Sequence, residues 1–408
     1  MAQHETPERL RVLVSAYACE PGQGSEPGVG WAFARAAALH HEVWLLTRAN
    51  LAEGIERARR QEPDLHLHPV YLDLPGWVLR WKGGLRGVHW YYPLWQLAAR
   101  GLARRMHRTI RFDLVHHLTF AADWMPVGIA GLDTALIWGP VGGATGVPWP
   151  LWRWLGWRGC LTEAARELTT RPARWLFARK AARRAALLIA QNHDVAEAFP
   201  RARRVVVEPN VAIEDGAPAP DVGPGREPGR RRAVFAGRLL AWKGPQLAVA
   251  CLARPEASGW TLDVYGTGPE AQRIRRLAGR LGVADRVTFQ GERPRADIRA
   301  AMAAADALLY PSMRDAASWV AAEALTAGCP VICLDRGGPA VLVGPGEGVR
   351  IPVRGDVVGN LARALASVTA RMAPVARWRA DRLPALVASW YEQAVGAPTK
   401  VRPPSAGS

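Results

Sequence analysis

The chain has 408 residues, 49% of them hydrophobic, and a formal net charge of +17. A length of this order exceeds one ordinary core and points to two domains, and the apolar share excludes a disordered chain. The charge invites an anionic partner, but only four of the 53 basic residues are lysines; arginine in a sequence crowded with Ala, Gly and Pro reflects composition as much as function, and no nucleic-acid partner is expected.

Residues 10–16 form a continuous apolar run of the kind a buried parallel strand shows. The glycine-rich stretch ACEPGQGSEPGVGW follows, then helical spacing over residues 29–39 and a second strand, HEVWLLT. The glycines at 22, 24, 28 and 30 miss the G-x-G-x-x-G spacing by one residue. No acidic residue closes the second strand, so a nicotinamide-dependent dehydrogenase fails on both counts. Gly24, Gly28 and Gly30 are left as backbone that could touch a phosphate or wall off an acceptor.

Further strands are expected in FDLVHHLTF, TALIWGPVGG and AALLIAQN, separated by helical or irregular segments, which makes the first half α/β with a mostly parallel sheet. Two segments, residues 75–108 and 147–160, are rich in tryptophan, leucine and arginine. That mixture suits an anionic membrane surface, and equally an aromatic-filled core or a protein surface.

Around Pro209 the run PNVAIEDGAPAPDVGPGREPGRRR holds too many Pro, Gly and charged residues to pack, and it reads as a linker. The alternation then resumes with AVFAGRL, TLDVYGTGPE, the helical EAQRIRRLAGRLG, RVTFQG, DIRAAMAAADALLYPS, AAEALTAG and PVICL. The simplest account is two Rossmann-like domains, residues 1–211 and 232–372, joined by a linker at 212–231. A helical segment at 373–396, broken by Pro384, is expected to return to the first domain, and residues 397–408 are expected to be disordered.

The five cysteines are scattered, with no CxxC pair and no histidine at ligand spacing, so reduced packed thiols are expected rather than a metal site. The opening MAQHETPERLRVLVSAY carries acidic residues and no long apolar run, and no window reaches about 18 uninterrupted apolar residues. A cytoplasmic location, free or on the inner face of a membrane, is the expectation.

Two stretches carry chemistry. AGRLLAWKG places Arg238 and Lys243 just beyond a strand, where paired cations suit a diphosphate at the strand's carboxyl end. In YPSMRDAASWVAAEALTAGCPV, Asp315 falls in a loop and Glu323 in a short helix that Ser318 would cap and Gly328 would end. The helix N-terminus would offer N–H groups to an anion, and Glu323 could accept both hydroxyls of a ribose.

The order GRL…KG, YGTGPE, PS…D-x7-E-AL-x-AG-x-PV, GGPA resembles the retaining GT-B glycosyltransferases of family 4, over almost the whole chain. The resemblance implies an α/β fold of two Rossmann-like domains facing each other across a crevice. It implies a hexosyl- or N-acetylhexosaminyltransferase that uses a nucleotide diphosphate sugar as donor substrate, with no metal and no cofactor. The acceptor would be lipid-linked, amphipathic or a small glycoside. By this likeness Arg238 and Lys243 bind the donor diphosphate, Glu323 holds the ribose and Asp315 contacts the transferred sugar. Gly266, Gly268, Ala316, Ala317 and Ser318 lie on the donor side. Of His116 and His117, which alternate to opposite faces, His117 would reach the sugar, and Gly142 and Gly143 would shape the acceptor side.

Asp315 stands where the family usually has Glu, and Ala316, Ala317 and Ser318 replace a glycine-rich loop, which bears on donor preference. A catalytically silent nucleotide-sugar binding protein and an epimerase or coupling enzyme on the same fold remain as alternatives.

Overall fold

A computed structural model describes residues 9–81, 87–214 and 230–396. Most of the expected linker and the expected disordered tail lie outside the described residues.

The first sheet has seven strands: β1 (Arg11–Ala16), β2 (Glu42–Thr47), β3 (Leu67–Tyr71), β4 (Leu114–Thr119), β5 (Ala135–Val141), β6 (Leu187–Ala190) and β7 (Val205–Val207). The second has six: β8 (Arg231–Ala236), β9 (Trp260–Tyr265), β10 (Val287–Gly291), β11 (Ala307–Tyr310), β12 (Val331–Leu334) and β13 (Gly348–Ile351). Their spatial orders are β3-β2-β1-β4-β5-β6-β7 and β10-β9-β8-β11-β12-β13. Every pairing is parallel. Both sheets reverse direction at their first strand, and crevices open at the carboxyl ends of strands at such a switch point. The central strands are buried on both faces, which is why β11 and β12 read as unbroken apolar runs and β1 and β4 as mostly apolar ones.

Helix Ser25–Ala38 begins four residues before the sequence spacing suggests. Pro27 sits in its first turn, where a missing N–H costs nothing. Gly28 and Gly30 lie inside this helix against the loop before it: a Cβ at Gly28 would stand 1.9 Å from Gln23 O, and one at Gly30 2.0 Å from Ala18 O. Their smallness serves this close backbone approach.

Helix Leu383–Val395 lies on the first sheet, with Pro384 in its first turn. Trp390 stacks on Phe33 at 5.8 Å between ring centroids, and Leu383, Val387 and Tyr391 join the same core. Just before it, the chain bonds to Ile213 on both sides, through Ile213 N to Trp378 O and Ala380 N to Ile213 O.

The tryptophan-rich segments divide. Trp95 is fully buried, while Trp77 is exposed. Trp152 and Trp154 pack, with Leu151 and Leu155, against the core of the second domain, where Arg273 donates to the carbonyls of Leu155 and Trp154. Trp149 and Trp157 face solvent. Part of this segment is therefore interdomain packing, and part is bare surface.

Trp390 closes the core between the C-terminal helix and the first sheet, and truncating a fully buried tryptophan typically costs about 3–5 kcal/mol. Trp390→Ala is expected to lower the denaturant midpoint of the first domain by a corresponding amount, with the unfolding of the second domain unchanged.

Candidate active site between the two sheets

The carboxyl edges of the two sheets enclose a cavity of about 660 Å³, within the range of small-molecule sites. The donor-side wall is built on β8, β11 and the loop after β11. β8 ends at Ala236, and Gly237, at φ 147°, turns the chain so that Arg238 stands exposed at the cavity wall. Lys243 ends the single turn Ala241–Lys243 that leads into helix Pro245–Leu252.

The Lys243 ammonium donates to the Tyr310 hydroxyl at 2.8 Å and to Asp315 Oδ2 at 2.7 Å. Tyr310 donates in turn to the same Asp315 oxygen at 2.8 Å. Burial works against the charge on Lys243, but Tyr310 and Asp315 outweigh it and hold the ammonium above the ordinary lysine range. Burial, then Asp315, pushes the Tyr310 phenol up, so it stays neutral. An ammonium has three N–H groups; two are committed here, and both Lys243 and the exposed Arg238 line the cavity.

The loop after Asp315 is held from both sides. Asn192 of the first domain donates from Nδ2 to Ala316 O at 2.8 Å, and the Gly338 N–H donates to Asp315 O at 2.9 Å. This path drives Ser318 to a left-handed φ of 66°, and its side chain makes no capping bond to helix Trp319–Thr326. The expected Ser318 cap is thus corrected: a capping hydroxyl works from extended backbone, which the tethered loop denies. Ser318, Trp319 and Val320 still line the cavity, with the helix N-terminus at its wall.

Glu323 lies one turn deeper, largely buried, and its Oε1 accepts from Arg295 Nε at 2.5 Å. It is outside the cavity lining. The Arg295 guanidinium covers the Trp319 ring at 5.4 Å and approaches Gly24, where a Cβ would lie 3.5 Å from Nη1. Gly266 and Gly268 also sit behind the wall: their backbones pass the carbonyls of Gly237 and Leu239 so closely that a Cβ would collide at 2.1 and 2.5 Å. They support the Arg238 turn from below.

The opposite wall comes from the first domain. Ser25, Glu26, His89, Ala121 and Trp124 line it, along with Gly142 and Gly143. A Cβ on Gly142 would fall 2.8 Å from the Ala316 methyl, so this glycine lets the two domains meet. Glu26 Oε1 accepts the Ala121 N–H at 2.5 Å, and the His89 ring lies 5.5 Å from Trp124. Glu26, His89, Tyr310 and Arg295 are not among the residues expected from the sequence. Glu26 stands in the quoted glycine-rich stretch and Tyr310 in YPSMRD, but neither has a spacing that marks it.

His117 does not line the cavity. It is buried with Nε2 3.2 Å from the Tyr92 hydroxyl. His116, on the other sheet face, is shared between Tyr391 and the Gly139 carbonyl. Burial lowers the pKa of His116 to about 4 and of His117 to about 3, so both are neutral packed rings. The chain runs on past them, so the cavity wall falls on Phe120, Ala121 and Ala122.

Residues 223–373 match the family Glycosyl transferases group 1. A 2-deoxystreptamine glucosyltransferase of Streptomyces kanamyceticus is 34% identical over 160 residues, covering 36% of this chain and 39% of that protein. A 2-deoxystreptamine N-acetyl-D-glucosaminyltransferase of Streptomyces fradiae is 28% identical over 338 residues, covering 78% and 76%. The chain therefore spans well under half of the first relative and about three quarters of the second. Among solved structures, sucrose-phosphate synthase from Thermosynechococcus elongatus superposes with a TM-score of 0.60 at 18% identity, covering 94% of this chain and 99% of that one. Anabaena HepE in complex with UDP gives 0.55 at 17% identity, covering 93% and 99%. At such identities the likeness is one of fold, the GT-B arrangement of two facing α/β domains.

Desolvation pushes the Glu26 carboxyl up to about 7, only partly offset by the Ala121 N–H. Between the ordinary carboxyl value and this one the folded protein keeps a proton that the unfolded chain has released, so stability falls as pH rises through that window. Glu26→Gln removes the effect: its Tm relative to the parent is expected to climb between about pH 5 and 8. A pH-independent difference would return the carboxyl to an ordinary value.

Proposed function

We propose that the chain, whose residues 223–373 match the family Glycosyl transferases group 1, moves a sugar from a nucleotide diphosphate sugar to an acceptor hydroxyl, with retention of the anomeric configuration. The observation that carries this reading is the convergence of Arg238, Lys243 and the Trp319 helix N-terminus on one cavity wall. Two cations and a helix end suit a diphosphate that gains charge as it leaves.

In this reading Arg238 and the third N–H of Lys243 take the phosphate oxygens. Asp315 holds Lys243 in place through one oxygen and has the other for a sugar hydroxyl. Glu323 receives the ribose when Arg295 yields. Ser25, Glu26 and His89 furnish the polar groups of the acceptor wall. The departing diphosphate accepts the acceptor's proton on the sugar face it leaves, so the protein supplies orientation and charge rather than a nucleophile. The names of the two Streptomyces relatives favour a hexose or N-acetylhexosamine as the transferred group. The acceptor hydroxyl belongs to a small glycoside or a lipid-linked one, and turnover needs no added metal.

Lys243→Ala is expected to cut turnover a hundredfold or more, the usual loss of one donor to developing charge, with the fold retained by circular dichroism. Parental turnover in that variant would remove the assignment. One of UDP, GDP, ADP and dTDP should stabilise the protein well above the others, by about 2.7 kcal/mol at a hundred times its dissociation constant. Activity measured in chelator should equal that without it.

A further inference from the structure

Past the non-helical Gly156, at φ 69°, the chain runs as helix to Arg184 through a π turn at Arg174–Ala178. Four large apolar side chains on it stand in solvent: Trp157 at 72% exposure, Leu161 at 64%, Leu168 at 77% and Trp175 at 63%. At 3.6 residues per turn they fall within an arc of about 40° and a length of about 27 Å. Monomeric soluble proteins rarely leave such a stripe uncovered.

The stripe continues sideways. Leu176 and Phe177 share a surface groove with Leu94 and Leu97 of helix Val88–Ile110. Trp175 and Leu176 border a second groove. The rims are basic: Arg100, Lys180 and Arg184 on the first, Arg179, Arg183 and Arg201 on the second. No Asp or Glu lines either groove, and among the described residues no ion pair engages Arg179, Lys180 or Arg183. The helix's own carboxylates are spent elsewhere, Glu163 on Arg166 and Arg314, Glu167 on Arg166 and Arg171.

This face is joined to the cavity. Val88 and His89, at the start of the helix that presents Leu94 and Leu97, line the cavity, as do Trp124 and Met125, which run directly into Pro126 and Val127 of the groove.

We propose that this face docks on an anionic lipid bilayer, with the helix from Trp157 to Arg184 lying in the interface plane and the first-domain wall of the cavity turned toward the lipid. The proposal goes beyond the reaction above and does not depend on it. Indole rings sit at headgroup depth, leucines reach the acyl boundary, and the unpaired arginines and lysine meet lipid phosphates. A second copy of the chain fits poorly, since it would bring one basic rim against another.

Flotation of the full chain with vesicles of equal parts phosphatidylglycerol and phosphatidylcholine tests this without reading turnover. The parent should co-float at low salt and be released at about 1 M salt, where the screening length shrinks to about 3 Å. Leu168→Ser with Trp175→Ser, both at exposed positions, should lower partitioning at least tenfold at an unchanged Tm. Arg179→Ser with Arg183→Ser should lower it about tenfold or more and flatten the salt dependence. Absence of flotation by the parent, parental flotation by either variant, or a lipid-free parent dimer that Leu168→Ser with Trp175→Ser dissolves would each overturn the proposal.

Discussion

A buried carboxylate stands at the centre of the contacts that tie the two domains together. Glu163, on the first-domain helix Trp152–Ala173, is almost wholly out of solvent and lies 2.9 Å from Arg166 and 3.1 Å from Arg314 of the second domain. A charge in such a place must be paired, because breaking one partner away leaves it stranded in low dielectric. Burial and the neighbouring Arg166 pull the Arg314 pKa down to about 10, which still leaves a cation at neutral pH. Arg314 directly precedes Asp315, so the pairing that joins the domains also sets the start of the loop that holds Lys243. Asn192 on Ala316 and Asp194 on the Gly337 N–H complete the tether.

The cavity inherits its electrostatics from that tether. With the loop fixed, the Lys243 ammonium, the Tyr310 hydroxyl and the Asp315 carboxylate form a closed triangle in which each hydrogen bond supports the charge on Lys243. A cation prepared in this way needs little rearrangement to meet an anion, the property expected of a site that stabilises developing charge. Arg238, exposed at the cavity wall, adds a second cation, and the glycines behind it, Gly266 and Gly268, make room for its turn. The binding chemistry and the packing beneath it are separate duties of neighbouring residues.

Much of this was legible from the sequence, and the reasons are specific. Strands buried on both faces are mostly apolar, so β1, β4, β5, β6, β8, β9, β11 and β12 stand out as runs between turn residues. The edge strands are harder: β3 contains Pro69 and an exposed His68, and β7 is only three residues long, so neither carries a periodic signal. The start of helix Ser25–Ala38 was misplaced because Pro27 and three glycines suggest a loop, although proline is tolerated in a first turn and these glycines answer a backbone contact. His117 was drawn to the cavity by its place near a strand end, but only the three-dimensional course of the chain shows that the wall begins three residues later.

By itself the sequence determined the two alternating α/β halves and the segments bearing Arg238, Lys243, Asp315 and Glu323, because apolar periodicity and turn chemistry are local properties that each stretch carries with it; the expected break near Pro209 did not hold at its start, since Val211, Ala212 and Ile213 are buried in the cores. The sequence did not determine which of those side chains share a cavity, that Glu323 is held by Arg295, that Glu26 and His89 complete the facing wall, or that half of the tryptophan-rich segment is buried against the second domain. Those outcomes depend on contacts between residues tens to hundreds of positions apart, such as Asn192 with Ala316 and Glu163 with Arg314. Desolvation and charge pairing act only once the folded chain has brought the groups together, and no spacing along the chain encodes that distance.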